Sequence, residues 1–298
     1  MQIQTRNLVI EAEIHGNDSG TPLILIRGQG SQLTHWPDSL ISGFVSQGYR
    51  VILFDNRDVG LTQRCPSADC PGKAEDILDL IRTGDAFPGA YTLDDMAQDV
   101  VDLMDALEIP QAHMFGISMG GAILQLLALN HSDRVLSATI VMTACRPFAQ
   151  RAGEDAHALI ELAQSLLVSP RTEEAYLEGQ VAEHALWGSP GYPMPEEEIR
   201  TMARRCYARG VDDEGMNRQV LAITHATDRR PLLKSLTLPC QVIHGVNDTL
   251  IPLELGREIA DHIPNCPFHA IDGMGHIITP ALSPMIVDLT DSFIAKSE

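Results

Sequence analysis

The segment Gly116-Ile117-Ser118-Met119-Gly120 spells G-x-S-x-G, a spacing that equips a serine for covalent chemistry. A serine at the centre of that pattern sits on a tight turn between a strand and a helix, with its hydroxyl lifted clear of the backbone. The hydroxyl is a poor nucleophile until a base removes its proton. Imidazole changes charge near neutral pH and suits that task. His276, in Gly273-Met274-Gly275-His276, is the candidate base. Asp248, in His244-Gly245-Val246-Asn247-Asp248, is the candidate carboxylate that fixes the imidazole tautomer and stabilises the imidazolium. The chain order is nucleophile, acid, histidine, as expected where all three leave the same end of one parallel sheet. Together these residues could transfer an acyl group through Ser118.

Such chemistry also needs two N–H groups aimed at the developing oxyanion. The residue after the nucleophile, Met119, is expected to give one. The loop Gly28-Gln29-Gly30-Ser31 is expected to give the other, from Gln29 first and Gly30 second. Glycines there let the backbone approach the substrate oxygen. The same loop superficially matches a dinucleotide fingerprint, with Asp55 at the end of the next strand. However, Leu33 stands where the third glycine belongs, and Pro37 follows too closely for a helix to open at Gly30. Asp55-Asn56-Arg57-Asp58-Val59-Gly60 therefore reads as a structured turn.

The elements that must position these residues are visible as short apolar runs. Leu23–Arg27, Arg50–Phe54, Ala112–Gly116, Val135–Met142, Cys240–His244 and Pro267–Ile271 read as buried strands. Helical patterns lie between them. Thr92–Leu107 carries Leu93, Met96, Val100, Leu103, Met104 and Leu107 along one stripe, with Thr92 as N-cap. Met119–Leu129 is apolar almost all round, and Leu253–Ile263 and Pro284–Ala295 complete the set. Strands alternating with helices predict an α/β fold, a mostly parallel doubly wound sheet. The alternation stops between Arg146 and Pro231. Glu154–Leu167, Glu173–Ala185, Glu196–Arg209 and Asp213–His225 read as helices alone, separated by Pro and Gly clusters. The expected organisation is a core of residues 1–145 and 232–298, with a helical cap, 146–231, inserted after the sixth core strand.

Composition excludes several function classes. With 40 acidic and 21 basic residues, the formal charge is −19. Such a surface repels nucleic acid and anionic membranes. No apolar run reaches about 18 residues, so no transmembrane helix is expected. The start, MQIQTRNLVIEAEIHG, lacks a basic segment followed by an apolar one. A cytoplasmic protein is expected on that ground. Of the six cysteines, Cys65 and Cys70 are the close pair, but no second pair completes a metal array, and free thiols are expected. The histidines other than His276 show no metal-ligand spacing. Neither a metal nor an organic cofactor is implied, and association of identical copies stays open.

RGQGSQLTHWP, FDNRDVGLT, YTLDDMAQDVVDLMDAL, GISMGG, HGVNDTLIP and GMGH give the chain a resemblance that covers nearly the whole core. It resembles the bacterial esterases of the α/β-hydrolase fold that include aclacinomycin methylesterase. The resemblance implies Ser118, Asp248 and His276 as the triad and Met119 and Gln29 as oxyanion donors. It departs at Arg27, where members of that group often carry His; a main-chain oxyanion contact does not depend on that side chain. The expected activity is hydrolysis of a small or medium carboxylic ester, a methyl ester among the candidates, through an acyl-enzyme. Carbon–carbon bond hydrolysis and cofactor-free perhydrolysis use the same triad and remain alternatives. A small-molecule receptor built on the same fold is a further one. Gly28, Gly30, Trp36, Phe148 and Trp187 are the candidate substrate-binding residues.

Overall fold

The computed structural model describes residues 1–83, 89–146, 164–169 and 171–297. Among the described residues eight strands form one sheet. They are β1 (Gln2–Gln4), β2 (Val9–His15), β3 (Thr21–Ile26), β4 (Tyr49–Phe54), β5 (Ala112–Ile117), β6 (Val135–Val141), β7 (Cys240–Gly245) and β8 (Phe268–Ile271). Their spatial order is β1-β2-β4-β3-β5-β6-β7-β8. β1 pairs antiparallel with β2, and β2 antiparallel with β4. All remaining pairs are parallel. The central strands are buried on both faces, which is why they read as continuous apolar runs.

Successive side chains of each strand feed two separate cores. Ile24, Ile26, Ile52, Phe54 and Met114 pack on one face, against α3 (Leu93–Ala106), α4 (Met119–Asn130) and α9 (Leu253–His262). Leu23, Leu25, Val51, Leu53 and Phe115 pack on the other, against α1 (Asp38–Ser46) and α10 (Ser283–Ser297). The stripe foreseen on α3 is buried from Leu93 to Met104, with Leu107 half-buried just past the helix end, and Thr92 caps that helix by accepting the N–H of Asp95 at 3.1 Å. One further helix, α2 (Ala74–Thr83), follows β4.

Between β6 and β7 the described residues hold helices and no strand: α5 (Glu173–Trp187), α6 (Glu196–Arg209), α7 (Asp213–Thr224) and the short α8 (Arg230–Leu233). The helix expected at Glu154–Leu167 lies outside the described residues up to residue 163. α5 and α6 share a small core of Tyr176, Leu177, Ala203 and Cys206. α7 is tied to the sheet by a buried ion pair: Arg218 donates to Asp58 at 2.8 and 2.9 Å, and the Tyr91 hydroxyl donates to the same carboxylate at 2.8 Å. Asp55–Gly60 forms the hydrogen-bonded turn that these contacts need. Within it, Asp55 accepts the N–H groups of Leu33 and Leu61 and the guanidinium of Arg209. All six cysteines are free thiols. Among the described residues no helix is long and apolar enough to cross a membrane.

Candidate active site

The carboxyl ends of β3, β5, β7 and β8 converge on one point. Ser118 follows β5 and adopts φ 56°, ψ −122°, a conformation strained for any residue with a side chain. The turn survives because of its glycines. A Cβ at Gly116 would stand 2.5 Å from the carbonyl oxygen of Gly120, and one at Gly120 would overlap that of Ile26. The N–H of Ser118 donates to the Val141 carbonyl at 2.9 Å, so β6 holds the elbow from the side. α4 begins at the next residue, with its N-terminal dipole beneath the hydroxyl.

His276 bridges the other two residues singled out in the sequence. Its Nε2 lies 3.0 Å from Ser118 Oγ, and its Nδ1 lies 2.7 Å from Asp248 Oδ2. The second oxygen of Asp248 accepts the N–H groups of Leu250 at 3.0 Å and Ile251 at 2.8 Å. Behind Asp248 stands His244, whose Nε2 donates to the Ile251 carbonyl at 2.8 Å. Burial lowers its pKa and keeps this imidazole neutral. It braces the carboxylate loop without adding charge to it.

The loop after β3 meets the elbow directly: a Cβ at Gly28 would stand 3.0 Å from Ser118 Cβ. The N–H of Gly30 is already committed, to Gln219 Oε1 at 2.7 Å. The N–H groups of Gln29 and Met119 have no such commitment among the described residues. The geometry thus separates the first choice for the second donor, Gln29, from the alternative, Gly30. Gln219 is fully buried and also donates to the Arg57 carbonyl at 2.8 Å, so it pins this loop to the turn after β4. Nothing in its sequence surroundings distinguished Gln219, because its partners lie far away along the chain.

The segment after α5 clamps the His276 loop, another feature the sequence did not reveal. Trp187 O accepts the N–H of His276 at 2.7 Å, and Gly273 O accepts that of Gly191 at 2.8 Å. Ser189 Oγ accepts the N–H of Gly275 at 2.9 Å and donates to Ile277 O at 2.6 Å.

A cavity of about 560 Å³ lies over Ser118 and His276, walled by Gly28, Gly30, Trp36, Met119 and Trp187 among others. That volume suits a small-molecule substrate. Trp36 is also a core residue, 2% exposed, with its ring edge-on to Phe115. Phe148 lies outside the described residues.

The alpha/beta hydrolase fold family matches residues 21–172. The chain is 25% identical over 283 residues to rhodomycin D methylesterase of Streptomyces peucetius, covering 90% of this chain and 88% of that protein. It is 26% identical over 297 residues to 2-hydroxymuconate semialdehyde hydrolase of a Pseudomonas species, covering 97% and 92%. A thermophilic esterase from Thermogutta terrifontis superposes with TM-score 0.71 at 22% identity, covering 100% of this chain and 98% of that one.

Proposed function

We propose, from the premise that this chain belongs to the alpha/beta hydrolase family, that it hydrolyses carboxylic esters through an acyl-enzyme on Ser118. The observation that carries this reading is the hydrogen-bonded chain from Ser118 through His276 to Asp248, at 3.0 and 2.7 Å. In it His276 takes the hydroxyl proton as Ser118 attacks the ester carbonyl, and returns it to the departing alkoxide. Asp248 holds the ring and offsets the positive charge that forms. The N–H groups of Met119 and Gln29 receive the oxyanion. Water then repeats the sequence on the acyl-enzyme and releases the acid. The helices between β6 and β7 act as a cap that shapes the pocket, and methyl esters are the first candidates, on the likeness to rhodomycin D methylesterase.

Carbon–carbon bond hydrolysis is the second reading, and the likeness to 2-hydroxymuconate semialdehyde hydrolase favours it. A panel of esters of graded acyl and alcohol length, run beside a vinylogous diketone acid, separates the two. Fluorophosphonate should label the wild type and leave Ser118→Ala untouched. Undiminished labelling of that variant by intact mass, or a wild type that turns over neither class, would remove the proposal.

A further inference from the structure

Arg27 follows the last residue of β3 and lies in the wall of the cavity that holds Ser118 and His276. Among the described residues its guanidinium has no counter-ion: it forms no ion pair, and its Nε is sealed from solvent with no acceptor. The group lies over the Trp36 ring, with Cζ 4.5 Å from the ring centroid. That cation–π contact holds the guanidinium against the ring and leaves its charge unneutralised. The carboxylates of the same cavity wall, Asp38, Glu183, Glu197 and Glu198, form no ion pair with it, and the groups nearest it are neutral. His35 is held neutral by burial first and by Arg27 itself second, with its pKa lowered to about 3. His184 is lowered by burial, with a further contribution from Arg27, and the Cys206 thiol is raised by burial.

Other cations of the cavity wall differ in this respect. Arg146 is paired with Glu258 at 2.6 Å. Arg229 donates to Gln125, Thr227 and Ala144 oxygens. Arg205 is exposed, where water meets its charge. Arg27 alone among these combines enclosure in the cavity with a lack of acceptors. Burial lowers its pKa only to about 10, so it keeps its proton at neutral pH. A half-buried cation with its Nε sealed from solvent and lacking an acceptor is costly unless something arrives to pair with it.

We infer that Arg27 is a substrate-binding residue that pairs with a carboxylate carried by the substrate itself, so that the preferred substrates are acid-esters such as half-esters of short dicarboxylic acids. The inference rests on the ester-hydrolase reading of Ser118. A planar guanidinium fits a carboxylate by two parallel N–H···O bonds. Arg27 immediately precedes Gly28, which touches Ser118. The substrate's carboxylate and its ester carbonyl therefore sit close together, separated by a short carbon chain.

The test compares kcat/KM for monomethyl succinate, glutarate and adipate with kcat/KM for the matched amides, in which CONH2 replaces the free carboxylate. The wild type should prefer the best anion over its amide by about tenfold or more, the scale of a charge-assisted hydrogen bond. Arg27→Gln should bring that ratio close to one, and Arg27→Lys should keep part of it. A wild type that hydrolyses the amides as well as the anions overturns the inference, as does an Arg27→Gln enzyme that keeps the full ratio. Should Arg27→Gln fail to fold, as read by circular dichroism, the wild-type ratio and Arg27→Lys decide. Calorimetric titration of glutarate into Ser118→Ala protein separates this inference from the hydrolase reading. Glutarate binding that Arg27→Lys weakens, beside a wild type that neither labels nor turns over, leaves the anion site standing and removes the hydrolase. No glutarate binding, beside a wild type that hydrolyses the neutral amides, does the reverse.

Discussion

The carbonyl oxygen of Trp187 accepts the backbone N–H of His276 at 2.7 Å. The last residue of α5 thus holds the main chain of the candidate base, although the two belong to different layers of the protein. The helical segment is not a detachable roof: it sets the position of an imidazole that must meet Ser118 within hydrogen-bond reach.

This clamp can be weakened without touching the reacting groups. Ser189→Ala removes both hydrogen bonds by which that hydroxyl ties Gly275 and Ile277. Gly275→Ala places a Cβ into the Gly188 carbonyl and 2.8 Å from that of Trp187. Both variants should lower kcat more than they raise KM, by roughly one to two orders of magnitude for a base displaced by about 1 Å. Steady-state kinetics and circular dichroism check this. Full kcat in both would show that the clamp has no bearing on His276.

Gln219 makes a parallel prediction for the loop after β3. Gln219→Leu frees the N–H of Gly30 and the carbonyl of Arg57 from their shared partner. A buried donor and acceptor left unpaired should cost about 1–3 kcal/mol of stability each at most. The displaced Gln29 N–H should also slow acylation. A melting curve and a burst-phase measurement read the two effects separately. Loss of stability with an unchanged acylation rate would leave Gln219 purely structural.

Trp187 bears on selectivity. The residue lines the cavity, and its carbonyl holds His276. Trp187→Ala retains the carbonyl, so the expected outcome is a changed ranking of esters by kcat/KM, with fluorophosphonate labelling of Ser118 preserved. Equal scaling of every substrate across the panel would show that the ring only packs the helices together.

His35 makes stability depend on pH. Its folded pKa is lowered to about 3, by burial first and Arg27 second. An unfolded histidine titrates near 6.5. Between about 6.5 and 3 the unfolded chain takes up a proton that the folded chain refuses, so stability falls as pH falls. The contribution approaches about 1.4 kcal/mol per pH unit well below 6.5. His35→Gln should therefore lose stability less steeply than the wild type between pH 7 and 4.5, as read by chemical denaturation. Parallel curves would place the acid sensitivity elsewhere.

Much of this protein was legible in local sequence. G-x-S-x-G between a strand and a helix marks the elbow, since only glycine fits at positions 116 and 120. The buried parallel strands and the capped stripe of α3 were visible because burial on both faces, or on one stripe, forces a pattern on adjacent residues. β1 and β2 escaped. Both pair antiparallel and are partly exposed; β1 has only three residues, and β2 carries Glu11 and Glu13 on its half-exposed face, so their pairing rather than their composition makes them strands. α8 escaped too, being a single short turn of helix.

By itself, then, the sequence determined the identities and chain order of Ser118, Asp248 and His276 and the framework that brings them to one end of a sheet. Tertiary structure alone decided what surrounds them. The commitment of Gly30 to Gln219, the hold of Trp187 on His276 and the isolation of Arg27 join residues remote along the chain, or depend on which partners are missing. Such relationships leave no periodicity to read, because packing in three dimensions creates them and no local pattern requires them.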